Sequence, residues 1–481
     1  MQIQKVRFVE PGNPPYKNTI RNYYTYEAFI RTPSHGLLTL ATIVGQRVDD
    51  TLMYSECISE VNWEDVLTAD IVFIGCFTFA APRAYEMARL IKANSDAVVV
   101  LGGLHPSLNY PEAVQYCDYV LLGEGDESIL EFIDALESER APDFEGVAYL
   151  LGDGELVYTG QRTPPHDIDT IPDRNLLYRY AQMVHYNTIW PQVHASRGCP
   201  HNCDYCAPVR HFGHRLRTRA PENVVADIQA AIAFHAQAFP PRLLNLLWIT
   251  DDNLFANREW AMELLRAIIA ADIDYSFIAQ ARYEVGLDDE MLTLLKAAGF
   301  RELAFGIEFI EDESFEAYHK KSTRAEIVEA IRNTQAHGLS VRGLFILGAD
   351  THTRGVGRRL AQFVRENDIR GVLLQSMYFI PGTPVYEQSE DRLIHTDWSR
   401  YCGHVVHYPN AMTPAELQEE IIEASAAIYS PSAWVRALIA YPLLGKVLFI
   451  GEAFWQRHVR RELKAELPYL RGLGSHVPSK C

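Results

Sequence analysis

The stretch SRGCPHNCDYC, residues 196–206, guides the interpretation of this sequence because it places three cysteines, Cys199, Cys203 and Cys206, in one short loop. The other cysteines of the chain are scattered singly. Before the loop, WPQVHASRG predicts a β-strand, and after it ENVVADIQAAIAFHAQ predicts an amphipathic helix. A bunch of thiols between a strand and a helix favours a metal site over disulfides.

Two kinds of metal site fit this loop. Three thiolates at this spacing can ligate three irons of a cubane cluster and leave the fourth iron without a protein ligand. A zinc site completed by His201 or His211 is the alternative. Zinc sites usually take their thiols from two Cys-x2-Cys-like pairs far apart in sequence, and the second pair is missing here. The spacing therefore favours iron over zinc.

The composition is that of a folded protein with several domains. The chain has 481 residues, of which 48% are hydrophobic and 22% are charged, which excludes disordered, collagen and coiled-coil classes. With 44 Lys and Arg against 62 Asp and Glu, the net charge is −18, so a general affinity for nucleic acid is not expected. The first residues, MQIQKVRFVEPGNPP, lack the pattern of a secretory signal, and we expect a cytoplasmic chain.

Short apolar runs alternate with helical stretches in residues 1–140, which predicts a Rossmann-like α/β domain. The predicted strands are KVRFVEP, TLMYSE, ADIVFIGCFTF, AVVVLGG and DYVLLG. Their continuous Val, Ile and Leu content is typical of strands covered on both faces. Residues 141–190 are predicted to be a hairpin, turning at Gly-Asp-Gly within FEGVAYLLGDGELVYTG, and a linker rich in Pro and Asp.

Six strand and helix repeats follow in residues 191–386. Since a closed barrel of this class has eight repeats, six predict an open or partial (β/α)6 barrel. Residues 387–481 are predicted to be a mainly helical C-terminal domain. The predicted fold class is therefore α/β, with a Rossmann-like domain, a partial barrel and a helical C-terminal region.

The cysteine loop resembles the signature of the radical S-adenosylmethionine (SAM) superfamily. Cys199, Cys203 and Cys206 match its Cys-x3-Cys-x2-Cys pattern position by position, and Tyr205 matches the aromatic residue before the third cysteine. The resemblance implies a 4Fe-4S cluster on these cysteines, with SAM on the open iron. It also implies reductive cleavage of SAM to a 5'-deoxyadenosyl radical, which abstracts a substrate hydrogen, and a flavodoxin- or ferredoxin-type electron donor.

The resemblance extends along the barrel, through the segments RTRAPENVVADI, DDNLFANREWAMELLRAI, AFGIEF, VRGLFILGAD and FIPGTPVYE. By strand position it assigns Asp251 and Asp252 to the methionyl amino group of SAM. It assigns Arg282 and Glu308 to the carboxylate and ribose of SAM. An ion pair that structures a strand end is the alternative for Arg282 and Glu308, although such barrels place function at the carboxyl ends of their strands.

The segment VVVLGGLHPSLNYPEAVQYCDYVLLGEGDESILEFI resembles the cobalamin-binding domain that one large branch of this superfamily carries. Small residues at strand ends let the backbone approach a flat ligand. The resemblance implies cobalamin contacts at the residues that follow three strands: Phe77, Thr78, Gly102, Gly103, His105, Gly123, Glu124 and Gly125. The Asp-x-His-x-x-Gly triplet that supplies an axial histidine in methionine-synthase-like domains is absent from the first half of the sequence.

Three functions remain open at this point. The first is cobalamin-dependent C-methylation of an unactivated carbon, which the resemblance implies. The second keeps the cluster but ends in cyclisation, rearrangement or carbon–carbon coupling, with cobalamin absent or not a methyl carrier. The third is a metal-bearing binding protein without catalysis, and the carboxylates at strand ends argue against it.

The apolar stretch WVRALIAYPLLGKVLFIGEAFW, residues 434–455, is interrupted by Arg436, Pro442 and Lys446 and is not predicted to span a membrane. One interpretation is a pair of buried or half-buried helices broken at the proline. The other is an interfacial helix, with peripheral membrane contact through residues 434–461.

The substrate is expected to be a small molecule. An interfacial tail favours a lipid-like compound, while a peptide, a tetrapyrrole or an antibiotic precursor also fits. Trp398, Tyr401 and His404 are predicted near the substrate side of the cavity, with structural packing as the alternative for Trp398.

Overall fold

The structure is a computed structural model that describes residues 2–12, 33–182, 190–240, 245–441 and 443–474. Its chain divides into two compact units. The first consists of Met1–Pro200 and Ala207–Pro241, and the second of His201–Cys206 and Arg242–Cys481. The domain boundaries predicted at residues 140, 190 and 386 stay predictions.

A seven-stranded sheet organises the first unit, in the order β2-β1-β3-β4-β5-β6-β7. Strands β1 to β5 are parallel, whereas β6 and β7 run antiparallel to their neighbours. The strands are β1 Lys5–Glu10, β2 Asp50–Ser55, β3 Ile71–Gly75, β4 Val98–Gly102, β5 Tyr119–Leu121, β6 Val147–Leu150 and β7 Leu156–Tyr158. The five predicted parallel strands all form.

Helices connect these strands, as a doubly wound sheet requires. They are α1 His35–Gly45, α2 Trp63–Val66, α3 Ala81–Asn94, α4 Leu104–Leu108, α5 Tyr110–Ala113 and α6 Ser128–Glu137. Helix α1 begins after Ser34, whose side chain accepts a hydrogen bond from the backbone N–H of Leu37. Phe8, Phe73 and Phe132 lie in the buried core of this unit.

The hairpin of β6 and β7 extends the N-terminal sheet. Val147 pairs with Leu121 of β5, so the sheet continues past the end of the predicted Rossmann-like segment at residue 140. The sequence placed this hairpin with the linker, because a hairpin turn is a local signal whereas the strand that it pairs with is not.

The segment WPQVHASRG forms two short strands rather than one. They are β8 Gln192–Val193 and β9 Ser196–Arg197, and β9 pairs antiparallel with β10 Arg217–Thr218. Helices α7 Ala207–Phe212 and α8 Pro221–Ala238 also belong to the first unit. Helix α8 starts at a proline, whose missing N–H costs nothing in the first helical turn.

The second unit contains five parallel strands with helices between them. The strands are β11 Leu246–Ile249, β12 Ser276–Ala281, β13 Phe300–Glu308, β14 Ser340–Leu347 and β15 Gly371–Ser376, paired in chain order. The helices between them are α9 Arg258–Ala270, α10 Asp289–Ala297, α11 Asp312–Ala317, α12 Arg324–Ala336 and α13 Val356–Glu366. The carboxyl ends of these strands share one edge of the sheet.

Helices dominate the C-terminal region. After α14 Pro384–Ser389 come α15 Pro414–Ile428, α16 Pro431–Ala440 and α17 Leu443–Leu473. Pro442, the predicted break, lies outside the described residues. No helix among the residues described is long and apolar enough to cross a bilayer. The predicted α/β fold class, with a doubly wound N-terminal sheet, a partial barrel and a helical C-terminal region, is confirmed.

Candidate active site

The cysteine loop begins at a position that only glycine can occupy. Gly198 has a φ of 86°, and a Cβ built there would lie 2.4 Å from the carbonyl oxygen of Arg215. The backbone N–H of Cys199 donates to the carbonyl of Gly213, at 3.3 Å. The chain therefore enters the loop through a left-handed turn that fixes the backbone just before the first cysteine.

Arg197, two residues before Cys199, is held by acidic residues of the N-terminal sheet. Its guanidinium lies 2.7 Å from Glu124 and 2.7 Å from Asp126. The guanidinium of Arg217 lies 2.5 Å from the same Glu124 carboxylate. All four side chains are nearly buried. This ion-pair network anchors the strand that precedes the cysteine loop.

The end of the cysteine loop belongs to the second unit. Cys203 is buried, and the N–H of Cys206 donates to its carbonyl at 3.1 Å, so these two cysteines share one turn. Between them, Asp204 lies 2.6 Å from Nδ1 of His319. The Tyr205 ring packs edge-on against Phe309 and Tyr318. Burial of the Tyr205 hydroxyl raises its pKa well above the usual value.

Within the described part of the chain, no group of three or more His, Cys, Asp or Glu side chains has the arrangement of a metal site. His201 belongs to the second unit, whereas His211 belongs to the first and is buried. Burial lowers the pKa of His211 to about 4. Among the described residues, neither the three cysteines nor a set of cysteines and a histidine forms such a group, so the geometry does not choose between the cluster and zinc.

Two aspartates follow β11, as predicted for the edge that carries function. Asp251 is almost fully buried, whereas Asp252 reaches solvent. Asp252 nevertheless sits among enough protein atoms that desolvation raises its pKa to about 6. The two carboxyl groups lie just beyond the carboxyl end of β11, the edge at which barrels of this class place function.

Arg282 directly follows β12 and lies in an ion pair. Its guanidinium donates to Glu284 at 2.8 Å and to the carbonyl of Lys321 at 3.0 Å. In this arrangement Arg282 structures the strand end, the alternative that the sequence left open. To bind the carboxylate of a ligand, Arg282 would have to bind it together with Glu284 or release Glu284.

Glu308, the last residue of β13, adopts an unusual backbone conformation. Its φ is 66°, and its carboxylate folds back so closely that a Cβ at Gly306 would lie 2.8 Å from Oε1. Burial raises the pKa of Glu308, and the nearby ammonium of Lys320 opposes this shift. A strained carboxylate at a strand end is a frequent feature of functional sites.

Lys320 is a functional candidate that sequence analysis missed. Its side chain is buried, its Nζ lies 3.6 Å from Oε1 of Glu308, and it donates to the carbonyl of Gly306. Buried lysines are rare unless they are paired. In the sequence it stands in the run YHKKS, which looks like a solvated charged surface; only its tertiary contacts distinguish it from Lys321.

The strand ends of the N-terminal sheet carry an exposed aromatic residue and a buried hydroxyl. Phe77, after β3, is 52% exposed and stacks on Phe79 with ring centroids 5.9 Å apart. The hydroxyl of Thr78 is buried and has no hydrogen-bond partner among the described residues. An apolar face beside an unsatisfied hydroxyl fits a bound organic ligand.

Glycines stand at the next two strand ends, and at the first of them they let two backbone segments approach closely. Gly103 has a φ of 88°, and a Cβ there would lie 3.1 Å from the backbone N and O of Cys76. Gly102 lies just before it, at the end of β4. Gly123 has a φ of 70° and open space where a Cβ would point. Gly125, in contrast, packs on Leu40.

The imidazole of His105 points into the domain. It is fully buried, and its Nε2 lies 3.1 Å from the hydroxyl of Tyr85. Burial lowers the pKa of His105 to about 3, so the ring is neutral at physiological pH. Its geometry favours packing, and Glu124 is likewise engaged by two arginines. Ligand contacts at both positions remain predictions.

Residues after β15 form a second group of candidates. Ser376 and Tyr401 each carry a buried hydroxyl with no hydrogen-bond partner among the residues described, and the buried hydroxyl of Tyr378 lies near the backbone of Gly403. The rings of Tyr378 and Tyr401 lie 5.9 Å apart, and Trp398 packs on Tyr401. His404 instead lies 2.6 Å from the carboxylate of Glu466 in α17. The sequence singled out Tyr401 but gave no signal for the other two hydroxyls.

The cysteine loop and most of the barrel strands fall within a known protein family model. Residues 193–364 match the model of the Radical SAM superfamily. The chain carries a radical SAM domain. The predicted family resemblance is confirmed, and the chain is a radical SAM enzyme.

Relatives whose names state an activity match three quarters or more of this chain. The bacteriochlorophyllide d C-12(1)-methyltransferase of Chlorobaculum tepidum is 25% identical over 433 residues, which cover 90% of this chain and 89% of that protein. The anaerobic magnesium-protoporphyrin IX monomethyl ester cyclase of Rubrivivax gelatinosus is 24% identical, covering 75% of this chain and 66% of that protein.

A solved structure shares the whole fold. The radical SAM methyltransferase TsrM from Kitasatospora setae, with cobalamin and a 4Fe-4S cluster bound, superposes with a TM-score of 0.68 at 15% identity, covering 97% of this chain and 100% of that one. This likeness extends from the radical SAM domain to the sheet that precedes it and the helices that follow.

Proposed function

We propose that this chain is a cobalamin-dependent radical SAM enzyme that C-methylates an unactivated carbon of a small-molecule substrate. The observation that carries the proposal is the similarity to a methyltransferase over 90% of this chain, including the Rossmann-like sheet that a radical SAM domain alone does not need. We also propose residues 1–140 as the cobalamin domain and residues 191–386 as the barrel. The matched range 193–364 falls inside the latter.

The chemistry of the residues fits the proposed cofactors. Three thiols in one loop, two of them in one turn, suit a cluster with one open iron. The exposed Phe77 and the unsatisfied hydroxyl of Thr78 suit a large organic ligand at the end of β3. When bound, the reduced cluster supplies the electron that cleaves SAM to a hydrogen-abstracting radical, and cobalamin supplies the methyl group.

The protein residues position and desolvate the reactants. Asp251 and Asp252 offer anionic oxygens for an amino group at the end of β11. Glu308, held beside Lys320, offers a buried acceptor for hydroxyl groups at the end of β13. Tyr205 packs against Phe309 and Tyr318 and so fixes the turn between Cys203 and Cys206. We assign these roles to the binding and orientation of SAM.

The test is a metal count on protein purified without oxygen after expression with a cobalamin supply. The proposal predicts about four irons and about one cobalt per chain. Cys203→Ala is expected to lose most of the iron, while Cys57→Ala, outside the loop, keeps it. Zinc in place of iron, or no cleavage of SAM by the dithionite-reduced protein, would refute a radical SAM function.

A second function is favoured by the similarity to the anaerobic cyclase over 75% of this chain. In that case the radical is used for cyclisation, rearrangement or coupling, and cobalamin is absent or not a methyl carrier. S-adenosylhomocysteine among the products, together with retained cobalt, supports methylation. Deoxyadenosine without S-adenosylhomocysteine supports the cyclase-like alternative. In both cases we expect a flavodoxin- or ferredoxin-type protein to supply the electron.

A further inference from the structure

Helix α16 exposes an apolar face. Its small residues Ala433 and Ala437 are buried against the protein. On the other side, Val435 is 58% exposed, Leu438 is 52% exposed and Ile439 is 79% exposed. Spacings of three and four residues place these large side chains on neighbouring positions of one helical face. Large aliphatic side chains grouped in this way are uncommon on a surface that faces only water.

Helix α17, the next helix along the chain, also has an exposed face and a buried face. Its buried face includes Leu448, Phe449, Glu452, Gln456, Leu463, Glu466 and Leu470. The opposite face begins with Leu443 and Val447, which are 49% and 40% exposed. The same face continues with Lys446, Arg457 and Arg461, because their spacings from Leu443 are close to whole turns of 3.6 residues. One stripe therefore runs from apolar to basic.

The charge of this segment is opposite to that of the chain. Residues 434–461 contain five basic residues, Arg436, Lys446, Arg457, Arg460 and Arg461, and a single acidic one, Glu452. This gives 5 − 1 = +4, in a chain whose net charge is −18.

The one acidic residue does not reach this surface. Glu452 is buried, pairs with Arg342 and accepts hydrogen bonds from the Tyr429 hydroxyl and the Val372 N–H. Arg460 is also turned inward, where it donates to Ser425. The outward charges of the stripe are therefore all positive.

We propose that the exposed faces of α16 and α17 bind the surface of an anionic lipid bilayer. The aliphatic side chains of α16 and the start of α17 enter the acyl boundary, and Lys446, Arg457 and Arg461 meet the headgroup phosphates. A second copy of this chain fits less well, because two identical basic stripes would repel each other. The proposal goes beyond the proposed function and uses none of its steps.

The test is flotation of the full-length protein with phosphatidylcholine vesicles, with and without phosphatidylglycerol. We expect binding to the anionic vesicles, and its loss in about 1 M salt, where the screening length falls to about 3 Å. The triple variant Lys446→Glu, Arg457→Glu, Arg461→Glu should bind at least roughly 100-fold more weakly, since each basic residue contributes about 1 kcal/mol and 1.4 kcal/mol is tenfold.

A matched control distinguishes an effect of charges on this surface from an effect of the net charge of the protein. Reversal of Arg266, Arg301 and Arg358, which are exposed elsewhere on the second unit, changes the net charge equally and should leave vesicle binding near that of the unmodified protein. For the apolar part, Leu438→Ser with Ile439→Ser should weaken binding roughly tenfold or more. The pair Ile269→Ser and Leu287→Ser, also exposed, is its control.

The outcomes are distinct. No binding of the unmodified protein to anionic vesicles, or equal weakening by both charge triples, would overturn the proposal. A concentration-dependent dimer that Leu438→Ser with Ile439→Ser dissociates, without vesicle binding, would assign the surface to a second copy. SAM cleavage in solution is measured in parallel, because failure of the proposed reaction would leave vesicle binding unchanged.

Discussion

A substitution at Glu124 tests whether residues that follow β5 of the N-terminal sheet hold the strand before the cysteine loop. Its carboxylate is buried and pairs with Arg197 at 2.7 Å and with Arg217 at 2.5 Å. Glu124→Gln keeps the shape of the side chain but removes its charge. Two guanidinium groups then lose a buried anionic partner, and a buried cation without a counter-charge is strongly destabilising.

The expected loss follows from the contacts that remain. Breaking a buried ion pair costs about 3–5 kcal/mol. Arg197 keeps Asp126, and Arg217 keeps the carbonyls of Pro165 and Phe212, each near 3.0 Å or closer. We therefore expect Glu124→Gln to lower the free energy of unfolding by about 3 kcal/mol, the lower end of that range. For a unit of about 150–250 residues, this lowers Tm by about 6–12 °C.

Thermal unfolding of protein without added cofactors measures this loss, with iron content after reconstitution as a second readout. Glu131→Gln is the matched control. Glu131 pairs with Arg162 at 2.7 and 3.0 Å, a geometry like that of Glu124, but its side chain is 43% exposed. The control should cost less than about 1 kcal/mol, because solvent weakens exposed ion pairs.

A Tm of Glu124→Gln within about 3 °C of that of Glu131→Gln would contradict this expectation, since the buried network would then contribute no more than an exposed ion pair. Normal stability with loss of cobalamin alone would instead assign Glu124 to the ligand, as the sequence predicted. Normal stability with loss of iron alone would refute the link between the anchored strand and the stability of the unit.

Gly103→Ala should lower the free energy of unfolding in urea by more than Gly123→Ala. The positive φ costs about 1–2 kcal/mol at either position, but only at Gly103 would a Cβ also press on the backbone of Cys76; equal losses would contradict this. His105 stays neutral in the folded state down to about pH 3, while an unfolded histidine protonates below about pH 6.5, so its contribution to stability is present above pH 6.5 and is lost as the pH falls. Between pH 7.5 and pH 5, the free energy of unfolding of His105→Gln should therefore fall by about 2 kcal/mol less than that of the unmodified protein. An unchanged pH dependence would disprove this. Lys320→Met should weaken SAM binding tenfold or more by equilibrium dialysis, because charged hydrogen bonds contribute about 1.5–3 kcal/mol, while Lys320→Arg keeps more affinity; binding unaffected by Lys320→Met would remove this residue from the site.

The sequence predicted the elements well where the signal is local. The strands of the N-terminal sheet, the hairpin turn and the helical C-terminal region all carry periodicity or turn residues within a short window. The cysteine loop was equally accessible, because its ligands are close in sequence. The constraint on Gly198 was not predicted, because it arises from the carbonyl of Arg215, which approaches only in the folded chain.

Long-range partners escaped sequence analysis. Lys320 is separated from Gly306 by 14 residues and becomes a buried amine only when β13 and the following segment pack together. Glu124 and Arg197 are 73 residues apart, and neither sequence environment indicates a partner. The pairing of β5 with β6 likewise depends on sheet order. Such contacts require the fold, because no periodicity encodes which distant charges meet.

The ion pairs of Arg197 also bear on the order in which parts of this protein fold during synthesis. During synthesis the segment that contains Glu124 and Asp126 leaves the ribosome well before residues 196–206. Arg197 nevertheless belongs to the same compact unit as Glu124 and Asp126, and domains generally fold as units, the N-terminal one first during synthesis. The strand that leads into the cysteine loop is therefore expected to form together with the N-terminal sheet, while Cys203 and Cys206 wait for the strands of the second unit.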